Sequence, residues 1–221
     1  MVSFCYSNLM QDQRKLWNNN HANQRLHAHS QVQTAFAEET SAIIPAHSTI
    51  LELGCGEGND SIYFANQSHS VIATDFSDIV LKQNKERWSN SNLTFSIQDT
   101  SAPLDFGDGT FDVVYARLSL HYFNDEATQK IFDEINRVLK PGGYISFMCK
   151  EISDPIYGKG VEIETDMFEL DGHVRHFFSE RYVAKLLALH DFTVESIATG
   201  KEQIHDKASA FIKVLARKPL S

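Results

Sequence analysis

The chain of 221 residues has few cysteines and a deficit of basic residues. Its three cysteines, Cys5, Cys55 and Cys149, form no CxxC pair, so the sequence indicates neither a disulfide framework nor a zinc site. No apolar run approaches the roughly 20 residues that a membrane-spanning helix needs. The amino terminus also lacks the basic and then apolar layout of a signal peptide. We therefore expect a cytoplasmic protein without a membrane partner.

Lys and Arg number 20 against 29 Asp and Glu, which gives a formal net charge of −9. Since neutralisation of phosphates supplies most non-specific affinity for DNA or RNA, this balance argues against a nucleic-acid substrate and favours a small molecule. The ten histidines include no His-x-x-x-His pair beside the fourth predicted strand, so no metal is expected. With 42% hydrophobic residues and no linker-like stretch, the chain suits one domain, as a monomer or a homodimer.

A short apolar strand at residues 50–53 runs into glycines at alternate positions, Gly54, Gly56 and Gly58. Glycine lets the backbone turn sharply and approach a ligand that a side chain would obstruct. Asp75 ends the next apolar run roughly twenty residues on, where doubly wound folds place an acid for ribose hydroxyls. The pattern predicts a site for a nucleotide-like cofactor.

The details of this pattern disfavour a dinucleotide, and with it a nicotinamide oxidoreductase. The dinucleotide fingerprint has its third glycine three residues after the second, and Asn59 occupies that position. Glu52 and Glu57 beside the turn would repel a pyrophosphate, whereas they would not repel a cationic sulfonium with a free ammonium group. S-adenosylmethionine has both cationic groups.

From about residue 50 to residue 148 the chain resembles the class I S-adenosylmethionine-dependent methyltransferases. The family motif Glu-x-Gly-x-Gly-x-Gly is matched from Glu52 to Gly58, the ribose-binding acid by Asp75 and the adenine-contacting acid by Asp99; residues 111–116 and 137–143 match later landmarks. The resemblance implies S-adenosyl-L-methionine as cofactor. The implied cofactor-binding residues are Glu52, Gly54, Cys55, Gly56, Gly58, Asp75, Phe76, Asp99, Thr100 and Arg117, with Trp17 and Arg25 closing over the cofactor.

Within the family, the size and layout are most similar to the tellurite-resistance and thiopurine methyltransferases. The Asn-Pro-Pro-Tyr motif of enzymes that methylate amide or exocyclic nitrogens is replaced by residues 116–119, Ala-Arg-Leu-Ser. This replacement lowers the odds of a DNA or glutamine amino-methyltransferase.

Apolar runs and helical patterns alternate after residue 50, which predicts an α/β fold. We expect a doubly wound, seven-stranded Rossmann-like sheet with helices on both faces and an antiparallel C-terminal hairpin, as in the family. The predicted strands are 50–53, 70–74, 93–98, 111–116, 144–148, 193–198 and 210–217, and the predicted helices are 31–44, 60–67, 79–88, 126–139 and 179–189.

Four segments make up the single predicted domain, 1–221. They are an N-terminal helical lid (1–45), a cofactor-binding core (46–149), an insertion (150–178) and a C-terminal helix and hairpin (179–221). The insertion breaks the alternation with many acidic residues and follows the fifth strand, on the side of the sheet where α/β ligands bind. We interpret it as a cover for the substrate, with an ordinary solvated loop as the alternative.

Methyl transfer from a sulfonium depends mainly on placement, so it requires no conspicuous catalytic constellation. The catalytic candidates are His121, Tyr122 and Arg117, which follow the fourth predicted strand. A neutral imidazole at His121 would accept a proton near neutral pH, although a histidine that only shapes the pocket fits equally well.

Two further groups of residues are candidates for the acceptor side and the lid. His173, Arg175 and His176 would clamp an anionic acceptor, with solvated surface as the alternative for each. Trp17, His21 and Arg25 have roughly helical spacing, with plain packing as the alternative to a role over the cofactor.

The sequence thus predicts methyl transfer from S-adenosylmethionine to a small-molecule acceptor. A non-catalytic regulatory protein that binds S-adenosylmethionine is the alternative that stays open at this point.

Overall fold

Seven strands form one mixed sheet at the centre of the computed structural model, which describes residues 13, 15–20, 22, 32–204 and 207–220. The strand order is β3-β2-β1-β4-β5-β10-β9, and β10 runs antiparallel to both of its neighbours. A second, three-stranded antiparallel sheet has the order β6-β7-β8. The strands are β1 Thr49–Leu53, β2 Ser70–Asp75, β3 Leu93–Ile97, β4 Phe111–Arg117, β5 Leu139–Lys150, β6 Val161–Glu164, β7 Met167–Leu170, β8 His173–His176, β9 Thr193–Ile204 and β10 Lys207–Arg217.

Five α-helices accompany the strands between residues 32 and 204: α1 Ala35–Ser41, α2 Asn59–Asn66, α3 Asp78–Arg87, α4 Asp125–Val138 and α5 Glu180–Leu189. Residues 15–20 are also helical, and Leu120–Tyr122 forms a 3-10 turn. Four of these helices begin at side chains that accept a backbone N–H bond, Thr34, Ser77, Asn124 and Ser179, which is the expected chemistry of an N-cap. The longest helix in the described part, α4, has 14 residues, and none there combines the length and the apolar character of a membrane span.

Two hydrophobic clusters lie on opposite faces of the large sheet. Because side chains alternate along a strand, Leu51 and Leu53 of β1 enter one cluster and Ile50 enters the other. The first cluster contains the apolar faces of α4 and α5, and the second contains those of α1, α2 and α3. The predicted doubly wound sheet with helices on both faces and an antiparallel C-terminal hairpin is confirmed.

The predicted helix 31–44 is wrong in its extent. Thr34 caps α1 by accepting the Ala37 N–H at 3.2 Å, so the helix begins at residue 35 and ends at residue 41. Phe36 is buried as the helical pattern predicts, whereas Val32 and Ile43 lie outside the helix and are 60% and 55% exposed. The apolar periodicity therefore extended past both real ends of the helix.

Several strands are longer than the sequence predicts. β5 begins directly after α4, although residues 140–143, Lys-Pro-Gly-Gly, contain two residue types that are depleted in strands. β9 and β10 pair along twelve and eleven residues and extend the hairpin well beyond the predicted 193–198 and 210–217. Polar residues hide this extension because β9 is an edge strand whose residues are mostly exposed.

Within the segment 150–178, residues 161–176 form the antiparallel strands β6, β7 and β8, so the segment is not an irregular loop throughout; its role as a substrate cover stays a prediction. Asp166, Asp171 and Gly172 adopt positive φ angles of 60°, 53° and 80° at the turns that join these short strands. Val174 and His176 are buried, and their neighbours on β8 are half-buried. The segment leaves and rejoins the core at one place, where Glu151 and Phe178 form a β-bridge.

Candidate active site

The predicted site residues lie at the carboxyl ends of the parallel strands. Along the chain, β2 and β3 are added on one side of β1, whereas β4 and β5 are added on its other side. The crevice where the strand order reverses in this way is the usual ligand site of open α/β sheets. The glycine turn follows β1, Asp75 ends β2, and Arg117 ends β4. The structure therefore brings together cofactor candidates from three strands.

Gly54 begins the turn with a φ of 73°, and its backbone packs against Ser119, which follows β4. A Cβ atom there would lie 2.5 Å from the Cβ of Ser119, and Ser119 Oγ donates to the Leu53 carbonyl at 2.6 Å. The Gly54 and Cys55 N–H groups both donate to the Thr74 carbonyl, at 2.9 and 2.8 Å. Glycine at this position is required by packing as well as by backbone conformation.

Gly56 differs from Gly54 because a Cβ atom there would meet nothing within 4 Å. Its N–H donates to Asp75 Oδ2 at 3.1 Å, while Asp75 Oδ1 accepts from the Ser77 N–H at 3.0 Å. Asp75 is 5% exposed, and these two bonds fix its carboxylate at the edge of an open cradle that the backbone forms at Gly56. The space over Gly56 fits a ligand that approaches the backbone, as the predicted cofactor must. Gly58 completes the turn and precedes α2 as its N-cap.

Two side chains at the end of α3, which no sequence motif indicates, support the turn through its backbone carbonyl groups. Asn84 Nδ2 donates to the Gly56 carbonyl at 2.7 Å, and the Trp88 indole N–H donates to the Glu57 carbonyl at 2.9 Å. Asn84 is only 2% exposed, on the same helix face as the buried Val80 and Leu81. An amide that interrupts an apolar helix face was the available signal.

Glu52 is buried inside β1 and lies among other charged groups. Ser61 Oγ donates to its carboxylate at 2.5 Å, while Thr34 and Tyr115 hold the neighbouring Asp60. Burial, followed by the negative charge of Asp60, raises the pKa of Glu52 to about 8, against the opposing influence of Arg117. A cation bound beside Glu52 would favour its ionised form.

Cys55 is 8% exposed in the turn, and Asn84 Nδ2 approaches its sulfur at 3.9 Å. Burial, together with the charges of Glu52 and Asp75, raises the pKa of this thiol well above its usual value. The thiol is therefore not activated as a nucleophile, which favours the interpretation of Cys55 as a small residue in the turn.

The residues predicted to meet the adenine follow β3, next to the end of β2. The Gln98 N–H donates to the Asp75 carbonyl at 3.0 Å, which places Asp99 and Thr100 just beyond that edge. Asp99 Oδ1 accepts from the Ser101 N–H at 3.0 Å and from Ser101 Oγ at 2.7 Å, and both Asp99 and Thr100 are half-buried. Phe76, directly after Asp75, is also half-buried. The adenine contacts stay a prediction.

The catalytic candidates lie after β4. Leu118 has a φ of 54°, which reverses the chain between Arg117 and the 3-10 turn that carries His121 and Tyr122. The His121 and Tyr122 rings lie 4.4 Å apart between centroids, and His121 is 1% exposed. Arg117 is half-buried, and its Nε has no hydrogen-bond partner among the described residues. Such an orphaned donor at the strand end fits a site that a ligand completes.

Burial sets the protonation of both ring side chains. It lowers the pKa of His121 well below its usual value, and the charges of Arg175, Lys150 and His176 act in the same direction. It raises the pKa of Tyr122 to about 12. At neutral pH the site therefore presents a neutral imidazole that can accept a proton and a phenol that keeps its own.

The helical segment 15–20 and β8 both contact this pair. The Trp17 ring lies 5.5 Å from that of Tyr122 and 5.8 Å from that of His173. Gln13 clips the segment to β8, since its Nε2 donates to the Gly172 carbonyl at 2.5 Å and its Oε1 accepts from the Val174 N–H at 3.3 Å. Trp17 thus lies beside the acceptor candidates. His21 and Arg25, predicted with it, lie outside the described residues.

The predicted anion clamp is also brought to this place. His176 is hydrogen-bonded to the backbone of Phe123, directly after the 3-10 turn, and its ring lies 4.7 Å from that of Tyr182. Arg175 is close enough to influence the pKa of both His121 and Tyr122. Within the described ranges, no group of three or more His, Cys, Asp or Glu side chains is arranged to hold a metal ion.

Comparison with known proteins gives matches to both the sequence and the fold. Residues 50–143 match a family model described as a methyltransferase domain. Phosphoethanolamine N-methyltransferase 1 of Triticum aestivum is 39% identical over 112 residues, which are 48% of this chain and 22% of that protein. The chain spans between 22% and 50% of the length of the first curated relatives that it matches.

Solved structures of methyltransferases share the fold. A SAM-dependent methyltransferase of Methanosarcina mazei aligns with a TM-score of 0.74 at 20% identity and covers 83% of this chain and 98% of its own. The 1,6-didemethyltoxoflavin-N1-methyltransferase of Burkholderia thailandensis, solved with S-adenosylhomocysteine, aligns with a TM-score of 0.69 at 23% identity, over 97% and 89% of the two chains.

Proposed function

We propose that this chain, which belongs to the class I S-adenosylmethionine-dependent methyltransferases, transfers a methyl group from S-adenosyl-L-methionine to a small-molecule acceptor. The predicted resemblance to this family is confirmed by the match over residues 50–143, and the family cofactor follows from it. The more specific likeness to the tellurite-resistance and thiopurine branch stays a prediction.

One observation carries the proposal: the open backbone cradle at Gly56 lies beside a buried acid on each of β1 and β2. Glu52 and Asp75 are 3% and 5% exposed, and burial with the negative charges of Asp60 and Asp75 raises the pKa of Glu52 to about 8, so Glu52 carries a proton at neutral pH in the free protein. A phosphate-linked cofactor would be repelled by Asp60 and Asp75 and would keep Glu52 protonated, whereas a ligand with sulfonium and ammonium charges is attracted and favours the ionised form of Glu52. Asp75 accepts ribose hydroxyls in this proposal, and Glu52 supports the ammonium end.

When bound, the cofactor supplies an electrophilic methyl group on a sulfonium. The protein then has to hold an acceptor, exclude water and dispose of any proton that the acceptor loses. Trp17 and Tyr122 cover the region beside the 3-10 turn, and their rings are in edge contact. The neutral imidazole of His121 is the proton acceptor of this proposal, and Arg117 orients groups at the end of β4.

A small acceptor is supported by three observations. The chain carries a net charge of −9, which does not suit a polyanionic substrate. The inserted sheet β6-β7-β8 and the segment 15–20 both pack at the acceptor end, as a cover over a small compound would. The relatives from Triticum aestivum and Burkholderia thailandensis are named for methylation of a nitrogen in a small molecule.

Two measurements test the proposal in sequence. Calorimetric titration with S-adenosylmethionine, S-adenosylhomocysteine and NAD should show binding of the first two and none of NAD. A screen of amines, thiols, carboxylates and metalloid oxyanions with donor labelled in its methyl group should then give a labelled product. Binding without any labelled product would instead indicate the non-catalytic regulatory protein, and no binding of either sulfur compound would refute the proposal as a whole.

A further inference from the structure

We propose that the acceptor bound beside His121 carries a compact oxyanion, a phosphate or a carboxylate, which Arg175 binds together with His173. This inference rests on the proposed function, because it assigns the chemical class of the molecule that receives the methyl group. Its basis is the arrangement of β8 against the 3-10 turn, which is independent of the cofactor turn.

Arg175 and His173 lie on the same face of β8, because side chains two residues apart on a strand point the same way. That face is the one next to the acceptor candidates, since the His173 ring contacts Trp17 and Trp17 contacts Tyr122. Val174 and His176, on the other face, are buried. A guanidinium at this position can present two parallel N–H donors to a carboxylate or a phosphate.

Two unsatisfied nitrogen atoms lie on this side of β8. Among the described residues, the Nδ1 atoms of His121 and His173 are buried and have no hydrogen-bond partner. His121 is 1% exposed, so solvent does not compensate its nitrogen. Buried polar atoms are nearly always paired, and two unpaired atoms beside Trp17 and Tyr122 indicate that a ligand supplies the missing partners.

The charges around His121 and Tyr122 are positive in a protein that is acidic overall. Apart from burial, Arg175, Lys150 and His176 are the groups that depress the pKa of His121. Lys150 is paired with Asp154 at 2.8 Å, so its charge is largely compensated. Arg175 is therefore the main source of positive potential at the two catalytic candidates.

Four carboxylates also lie near β8. Asp125, Glu164 and Asp166 act to raise the pKa of His176, and Asp171 acts to raise the pKa of His173, in each case against the larger effect of burial. None of these four is among the groups that shift the pKa of His121 or Tyr122. Asp171 therefore offsets part of the positive potential at His173, whereas Arg175 is the charged group that acts on both His121 and Tyr122.

Fluorine NMR on protein labelled with 5-fluorotryptophan tests this inference. The chain has two tryptophans. Trp17 touches the proposed clamp and Trp88 holds the cofactor turn, so each signal reports one half of the site. With S-adenosylhomocysteine present, the protein is titrated with inorganic phosphate and with three primary amines that carry a phosphate, a carboxylate or neither: phosphoethanolamine, glycine and ethanolamine.

The expected result is a saturable shift of the Trp17 signal with inorganic phosphate and with phosphoethanolamine or glycine, and none with ethanolamine. The preferred amine then identifies the anion as phosphate or carboxylate. Arg175→Gln should raise the dissociation constant of that amine at least tenfold, and Arg175→Lys should raise it less. Arg217→Gln, the same loss of charge where β10 pairs with the opposite end of β5, should change it less than twofold.

Equal responses to ethanolamine and phosphoethanolamine, or unchanged affinity in Arg175→Gln, would overturn the inference. So would a Trp17 signal that none of the four compounds moves while S-adenosylhomocysteine still moves the Trp88 signal; that result leaves the proposed function intact. A Trp88 signal that does not respond to S-adenosylhomocysteine, confirmed by calorimetry, would instead count against the proposed function.

Discussion

Gly54 and Ser119 are packed so closely that a Cβ atom on Gly54 would lie 2.5 Å from the Cβ of Ser119. The two residues follow different strands, β1 and β4, and Ser119 Oγ closes the contact by donating to the Leu53 carbonyl at 2.6 Å. The glycine turn is therefore fixed to the chain that leads to His121 and Tyr122. A change at this contact affects both halves of the candidate site.

Substitution by alanine should have different effects at Gly54 and at Gly56. Gly54→Ala forces a Cβ atom into Ser119 at a φ of 73°, so it should lower the free energy of unfolding by about 1–3 kcal/mol. Gly56→Ala places its Cβ in open space and should cost less stability while weakening binding of S-adenosylmethionine. Urea denaturation and calorimetry check the two effects.

A double variant provides the control for this pair. Ser119→Gly removes the atom that Gly54→Ala strikes, so the double variant should recover part of the stability lost in the single one. Equal losses of stability in Gly54→Ala and Gly56→Ala would show that backbone strain alone, and not the contact with Ser119, explains the glycine.

Asp75→Asn should weaken binding of S-adenosylmethionine by about 1.5–3 kcal/mol, the scale for hydrogen bonds to a charged group. One side-chain oxygen remains to accept the Gly56 or Ser77 N–H, so the turn itself should persist. Asp78→Asn, at an exposed position in the first turn of α3, is the matched control and should bind normally. A dissociation constant that is the same in Asp75→Asn and Asp78→Asn would contradict the ribose role.

Glu52→Gln should stabilise the protein without its cofactor at alkaline pH. The folded-state pKa of about 8 lies above the usual 4.5, so between these values the folded protein retains a proton that the unfolded chain has lost. Stability conferred by the protonated form is therefore lost as the pH rises from 4.5 through 8, by at most about 1.4 kcal/mol per pH unit. The glutamine does not titrate, and its advantage in urea denaturation should grow between pH 5 and pH 8.

The same substitution should reduce affinity for the cofactor and change the proton balance of binding. A cationic ligand favours ionised Glu52, so binding near neutral pH should release a proton, which calorimetry in buffers of different ionisation enthalpy detects. Glu52→Gln should release none from this position. Identical proton release in the two proteins would mean that Glu52 is not near the bound cation.

His121→Asn should lower turnover by about 10²-fold or more if the imidazole accepts a proton from the acceptor. Affinity for S-adenosylmethionine should be retained, because His121 belongs to the acceptor side of the site. Burial and the neighbouring cations lower the pKa of His121, so its protonation should cause no loss of turnover between pH 7.5 and pH 6.5 in the unmodified protein. Unchanged turnover in the variant would reduce His121 to a packing role.

The order of elements from β1 to β5 was predictable because each strand there contains an apolar run that stands out between helical patterns or turns. The alternation of apolar runs with helical patterns also predicted helices on both faces of the sheet, and the structure has Leu51 on one face and Ile50 on the other. Element ends were harder. Thr34 is a good N-cap, yet the apolar spacing of Val32 and Ile43 suggested a longer helix, and both side chains proved to be exposed.

Residues that support the site through hydrogen bonds to backbone carbonyl groups could not be predicted from sequence motifs. Asn84 and Trp88 support the glycine turn through carbonyl groups, and neither belongs to a recognisable spacing with the turn residues. The pairing of Trp17 with Tyr122 and His173 depends on contacts across more than 100 residues, which no local pattern encodes. By contrast, Glu52 and Asp75 were identified directly, because Glu52 precedes the glycines of the motif and Asp75 ends the next apolar run.

The bridge between Glu151 and Phe178 brings the start and the end of the inserted sheet side by side. At its start the segment is fixed to β10, where Asp154 accepts from both Lys150 Nζ and the Ala210 N–H at 2.8 Å. A segment whose two ends leave the large sheet side by side can be shortened, extended or exchanged without shifting the register of that sheet. Changes in this segment, by evolution or by design, can therefore alter which compounds the protein accepts without changing the residues around the glycine turn.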